Sequence, residues 1–239
     1  MHVDLFIPCF VDQFFPQTGF NLIKLLEHVG CTVHYNPKQT CCGQPSFNGG
    51  YTKETKKLAQ KFIKDFEGER IIVSPGGSCT GFVRNYYDSL FDSEIEKKTA
   101  KELGKRMYEI SDFLVNILHV SDLKASFPHK VTIHDSCAAL REYGLKNEPR
   151  LLLNQVAGIE IIELDDNETC CGFGGTFSMK HTAISTAMVE QKVRNAVKTG
   201  AQYITSTEAS CLMNIASYVQ KNNVPITPIH IVDILAYNL

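Results

Sequence analysis

Tryptophan is absent from these 239 residues, neither sign of charge dominates, and no apolar run lasts long. The last of these absences excludes a membrane helix. The stretches 3–11 and 226–239 are interrupted by Asp, His or Pro well before the roughly 20 apolar residues a span needs. Lys and Arg total 24 against 26 Asp and Glu, a formal charge of -2. No basic block is present to track phosphates, so nucleic acid is not an expected partner. The start, Met-His-Val-Asp, has no basic segment followed by an apolar one, which leads to the expectation of a cytoplasmic protein. Hydrophobic residues make up 44% and charged residues 21%, with 14 Phe and 9 Tyr. Such a chain can fill cores for two domains of about 120 residues each without Trp.

What the chain has in excess is cysteine. A cytoplasmic protein rarely keeps nine thiols as structural disulfides, so metal ligation or redox chemistry is expected. Setting Cys31 aside leaves two quartets with one internal pattern. Cys9, Cys41, Cys42 and Cys79 are spaced by 32, 1 and 37 positions; Cys137, Cys170, Cys171 and Cys211 by 33, 1 and 40. The neighbours repeat too: Thr40-Cys41-Cys42-Gly43 against Thr169-Cys170-Cys171-Gly172, and Ser78-Cys79 against Ser210-Cys211. Ile110-Ser111-Asp112-Phe113-Leu114 closes the first half much as Ile231-Val232-Asp233-Ile234-Leu235 closes the second. The chain thus reads as a duplication with a linker at 120–129, dividing residues 1–124 from 125–239.

Within each half, short apolar runs alternate with helical patterns, which predicts an α/β fold of βα units around a small, mainly parallel sheet flanked by helices. Strands are predicted at 3–8, 32–35 and 70–74, then at 130–134, 160–164 and 203–206. Helices are predicted at 19–29, 52–66, 94–103 and 111–118, then at 149–156, 182–198, 212–220 and 229–237, with Ser111 and Asp112 as candidate N-caps. Every quartet cysteine then follows a strand. In a parallel sheet the loops after the strands meet at the carboxyl edge, where ligands bind, so the four thiols of each half should converge.

Four convergent thiolates suit an iron–sulphur cluster or tetrahedral zinc. Structural zinc sites draw on knuckles with about two to four residues between cysteines, and none is present. Adjacent cysteines in extended backbone diverge, and so address two metals of one cluster more readily than a single zinc. Buried packing thiols are the plain alternative, but they give no reason for a duplicated four-residue pattern. A thiol–disulfide enzyme using Cys41-Cys42 or Cys170-Cys171 would need a thiol of depressed pKa with solvent access.

These motifs resemble the cysteine-rich CCG domain found in the lactate utilisation protein A family, the iron–sulphur subunit of glycolate oxidase and the heterodisulfide reductase B subunit. The resemblance covers the whole chain. Phe6-Ile7-Pro8-Cys9, His134-Asp135-Ser136-Cys137, Cys170-Cys171-Gly172-Phe173-Gly174-Gly175 and Ser210-Cys211-Leu212-Met213 look most like the lactate utilisation branch. It implies that Cys9, Cys41, Cys42, Cys79, Cys137, Cys170, Cys171 and Cys211 hold one or two iron–sulphur clusters, expected as [4Fe-4S], with zinc as a possible substitute. It also implies an electron-transfer subunit of an L-lactate (2-hydroxy acid) oxidation system yielding pyruvate. The expected partners are a ferredoxin-like iron–sulphur subunit and a third small protein. The alternative function is a zinc-stabilised scaffold without redox activity. The full family pattern ends each motif in Cys-x-x-Cys, giving five thiolates; here Gly76 and Glu208 stand at the first of those positions, leaving four per half.

Several other residues merit naming. Cys31 has no counterpart and reads as a buried thiol. His134, near Cys137, is a candidate for tuning a cluster. Arg84 and Arg141 are candidates to grip a carboxylate. Gly43, Gly76, Gly77, Gly172, Gly174 and Gly175 let backbone N–H groups approach anionic sulphur. Glu208 reads as a carboxylate at a helix start, and Gly172-Phe173-Gly174-Gly175 does not match a dinucleotide fingerprint.

Overall fold

The computed structural model describes all of residues 1–239. Each half is a four-stranded, fully parallel sheet. In the first, β1 (His2–Leu5), β2 (Thr32–Tyr35), β3 (Ile71–Ser74) and β4 (Met107–Glu109) lie in the order β2-β1-β3-β4. In the second, β5 (Lys130–Ile133), β6 (Glu160–Ile161), β7 (Tyr203–Ser206) and β8 (Thr227–His230) repeat it as β6-β5-β7-β8. Register fixes the repeat residue by residue: Val3 pairs with Val33 and Ile71, and Val131 pairs with Ile161 and Tyr203.

Both faces of the central strands are buried, as βα crossovers require. Val3 and Leu5 of β1 and Val73 of β3 face a 22-residue core that also takes Val131, Ile133, Leu152, Ile231 and Leu235 from the second half. The opposite face of each sheet has its own core, built on Phe6, Phe62, Ile72 and Phe82 in one half and on Val189, Val193, Ile204 and Ile215 in the other. The two halves therefore share one core and are joined by polar ties as well. Asp233 accepts from Thr18 and Asn21, both at 2.8 Å, and His230 Nε2 lies 3.0 Å from the Pro75 carbonyl.

The structure corrects the predicted elements at several places. Strand 3–8 ends at Leu5, and 160–164 shortens to two residues. The edge strands β4 and β8 were not predicted. The first follows its helix without a break in the sequence; the second contains Pro228, tolerated because an edge strand has one unpaired side. The helix predicted at 229–237 is therefore strand to His230 and helix only over Ile231–Leu235. Around 111–118 the helix is a single turn, Ile110–Asp112, widening into π-helical turns over Phe113–Ile117. Its N-cap is Glu109, whose carboxylate accepts from the Ser111 and Asp112 N–H groups, rather than Ser111 or Asp112. Burial pushes the Glu109 carboxyl up to about 8, against those hydrogen bonds.

Candidate metal centre

In each half the order 2-1-3-4 places the switch in strand order beside the first strand, and the loops that leave the sheet there carry the cysteines. Cys9 opens the helix Cys9–Phe14 just after β1. Cys79 lies in the first turn of Gly77–Tyr86 after β3, and Cys211 in the first turn of Ala209–Asn222 after β7. Cys137 begins a helical turn after β5. These helical segments at the cysteines aim the positive ends of their dipoles at sulphur; periodicity missed those that begin at Cys9, Gly77 and Cys137, and predicted the one after β7 as 212–220, short of its start at Ala209. The vicinal pairs occupy the loops after β2 and β6.

The sequence spacing meets its expectation here: the thiols of each quartet converge. Cys9 Sγ is 3.7 Å from Cys41 Sγ, and Cys42 Sγ is 3.2 Å from Cys79 Sγ. In the second half Cys171 Sγ and Cys211 Sγ lie within 4.8 Å of each other, Cys137 and Cys170 line the same cleft, and Cys211 Sγ lies 3.7 Å from Ser136 Oγ. All nine cysteines are free thiols. Within each quartet the first vicinal thiol is the most acidic. Cys41 is pulled far down by hydrogen bonds from Cys42 and Cys9, and Cys170 by Cys137 and Cys171; the N–H of Gly43 or Gly172 adds to each. The same sulphur contacts, with burial, push Cys9, Cys42, Cys137 and Cys171 up. Each quartet matches the donor set of a cluster or zinc ion.

The third letter of each Cys-Cys-Gly has a steric cause. Gly43 and Gly172 adopt φ of +90° and +87°, which turns their N–H groups back on Cys41 Sγ at 3.4 Å and Cys170 Sγ at 3.3 Å. A Cβ at 172 would lie 2.7 Å from the Ser185 carbonyl oxygen. The carbonyls of Cys42 and Cys171 are held from the segments that carry Cys79 and Cys211, through Tyr87 Oη at 2.7 Å, just past the helix Gly77–Tyr86, and Asn214 Nδ2 at 2.9 Å, within Ala209–Asn222. Both loops are also tied to the first strand's end. Ile7 N donates to Gln39 Oε1 at 2.8 Å, and Asp135 N to the Asn167 carbonyl at 3.2 Å.

The two quartets do not form separate pockets. All eight cysteines line one cleft of about 170 Å³ between the halves. Phe10 and Phe173 meet edge-on across it at 5.2 Å, while Glu142 and Glu208 supply its carboxylates. Burial pushes the Glu142 carboxyl up, and its Oε2 is enclosed without a partner. Sequence reasoning missed Glu142 and Phe10, which no motif marks; Phe173, inside the glycine-rich stretch, carried the only local signal.

At the fifth position of the family pattern, Gly76 packs against Pro8, and a Cβ there would lie 2.9 Å from the Pro8 ring. Glu208 starts its own helix, as expected from sequence, but also reaches across the halves: its Oε2 accepts from Ser78 N at 3.0 Å and its Oε1 from Ser210 Oγ at 3.1 Å. Neither arginine lines the cleft. Arg84 lies against the Tyr108 and Tyr143 rings, and Arg141 donates to the Glu168 carbonyl on an outer surface. Cys31 is a core thiol, as expected. His134 is buried beside the second quartet: one imidazole nitrogen, Cys171 Sγ and Cys211 Sγ all lie within 4.8 Å of one another, a set compatible with metal binding. Cys211 is held down to about 6, first by its hydrogen bond with Cys171, against its burial.

The family described as "CCG: Cysteine-rich domain" matches twice, over residues 3–84 and 131–216, one match for each quartet. The chain belongs to the cysteine-rich CCG family. Its relatives fix the branch. "Lactate utilization protein A" of Halalkalibacterium halodurans is 43% identical over 235 residues, covering 98% of this chain and 96% of that one. "Lactate utilization protein A 1" of Bacillus mycoides is 43% identical over 236 residues, with the same coverage. Among solved structures, glutamate racemase isoform RacE1 of Bacillus anthracis aligns with 98% of this chain and 79% of that one, at 11% identity and a TM-score of 0.41. The CCG match accounts for the thiols and their glycines alike, and no helix of the chain is long and apolar enough to cross a membrane.

Proposed function

We propose that this CCG protein is an iron–sulphur electron-transfer subunit of a lactate-oxidising system that yields pyruvate. The observation that carries the reading is the opening of both four-thiol sets onto one cleft. Cys9, Cys41, Cys42 and Cys79 would hold one [4Fe-4S] cluster, and Cys137, Cys170, Cys171 and Cys211 a second. Each cluster would supply one-electron redox chemistry. The chain's own contribution is to orient thiolates at helix starts, to direct the Gly43 and Gly172 N–H groups at sulphur, and to limit water with Phe10 and Phe173. The lactate substrate class comes from the names of the relatives, which cover nearly the whole chain. The electron partners in this reading are a ferredoxin-like iron–sulphur subunit and a third small protein, the location is the cytoplasm, and the two units divide at 124/125.

The test is iron, zinc and acid-labile sulphide per chain, with the visible spectrum, on protein purified without oxygen. Iron and sulphide with a brown absorbance that bleaches on reduction are expected, followed by lactate-dependent reduction when the partners are added. Zinc alone, persisting after reconstitution with iron and sulphide, would replace this reading with the zinc-stabilised scaffold.

A further inference from the structure

The two cysteine sets are alike, but their surroundings are not. Three residues before the first cysteine of each quartet stand Phe6 and His134. Phe6 lies in an aromatic cluster, edge-on to Phe62 at 4.9 Å. The packing of the motif glycines aligns the helices behind them: Gly43 faces Thr55 and Leu58, and Gly172 faces Ser185 and Met188. One turn further on, Phe62 in the first half is matched by Lys192 in the second. An apolar pair behind one quartet is thus a polar pair behind the other.

That polar pair is arranged as a ligand and its support. Lys192 Nζ donates to the carbonyls of Asp166 at 2.6 Å and Asn167 at 3.2 Å. His134 Nδ1 lies 3.3 Å from the same Asn167 carbonyl. A carbonyl only accepts, so the proton sits on Nδ1 and the lone pair of the neutral ring is on Nε2. Nε2 is fully enclosed and has no hydrogen bond of regular geometry; the imidazole faces Cys171 and Cys211. A buried nitrogen lone pair without a donor is costly. Metal-binding histidines have this form, with the other ring N–H held by a carbonyl.

We propose that His134 Nε2 is a fifth protein donor to the metal centre of the second quartet, and that the two centres of the chain are therefore chemically distinct. The proposal rests on the reading that the quartets hold iron–sulphur clusters. The first centre has thiolates alone and an aromatic wall; the second has a nitrogen ligand and a buried ammonium group behind its loop. The second centre is the one that a softer, all-thiolate description misrepresents.

Protein labelled with nitrogen-15 only at histidine, reconstituted anaerobically with iron and sulphide, separates this proposal from the reading beneath it. Iron and sulphide per chain report whether clusters assemble, and pulsed EPR of the reduced protein reports histidine nitrogen at each. The expected result is strong nitrogen-15 coupling on one cluster signal and none on the other. Coupling should persist in the Cys42→Ser/Cys79→Ser double variant and vanish in His134→Phe, which copies the first half. Two cluster signals without histidine coupling overturn the proposal and leave the cluster reading standing. Absence of iron and sulphide overturns both. The labelled wild-type protein gives the decisive measurement, so the outcome does not depend on the folding of His134→Phe.

Discussion

Replacing Gly172 with alanine isolates the steric origin of the Cys-Cys-Gly motif. At φ of +87° a side chain is strained, at a cost of about 1–2 kcal/mol. The added Cβ would also meet the Ser185 carbonyl oxygen at 2.7 Å and Met188 Cβ at 2.9 Å, backbone and stem atoms of a packed helix that give little. Overpacking of this kind adds about 1–3 kcal/mol, for a total of about 2–5 kcal/mol. At 2–4 °C per kcal/mol for a chain of this length, Tm falls by roughly 4–20 °C. Gly200→Ala is the control: its φ is +72° with nothing within 4 Å, so it bears the backbone strain alone. Gly43→Ala should behave like the control, because its Cβ meets only side-chain carbons at 3.4 Å or more. Thermal and urea unfolding of the metal-free proteins gives the three values side by side. If Gly172→Ala is no less stable than Gly200→Ala, the close approach of the second loop to its helix is not what demands glycine.

Three further outcomes follow from the geometry. Glu109 carries a folded-state pKa raised to about 8 by burial, so its contribution to stability is complete below the ordinary carboxyl pKa and is lost as pH rises through about 8. Glu109→Gln should flatten that loss when urea midpoints are compared at pH 5 and pH 9, and an unchanged slope would assign the pH dependence elsewhere. Glu208→Ala removes the acceptor for Ser78 N across the halves and should cost about 1–3 kcal/mol, with Glu208→Gln costing less; urea unfolding that ranks the two equally with wild type contradicts the tie. Cys42→Ser/Cys79→Ser should halve the iron and sulphide per chain and leave one cluster signal, whereas complete loss would mean that the quartets assemble a single centre together.

Much of the fold was legible because its signals are local. Strands 32–35 and 203–206 and the helix 182–198 appear where β-rich runs and helical periodicity predict them. The elements that were missed lack such periodicity. β4 has three residues, β8 contains proline, and the turns that begin with Cys9 and Cys137 are too short to show an amphipathic face. For the candidate site, the spacing of the cysteines was enough to pair them into quartets and to put each after a strand, but it offered Arg84 and Arg141 as anion grips. Neither lines the cleft, since sequence proximity to a cysteine says nothing about which side of a helix an arginine leaves.

The sequence alone determined the duplication, the eight thiols and the glycine that follows each vicinal pair, because spacing along the chain and backbone conformation are properties of neighbouring residues. Only the tertiary structure decided that the two quartets share one cleft, that Glu208 serves Ser78 130 positions away, and that His134 is buried beside Cys171 and Cys211 where the first half has Phe6. Those facts depend on how one sheet is docked on the other through a common core. That docking is set by the shape and burial of side chains more than a hundred residues apart, which leave no periodic mark in the sequence.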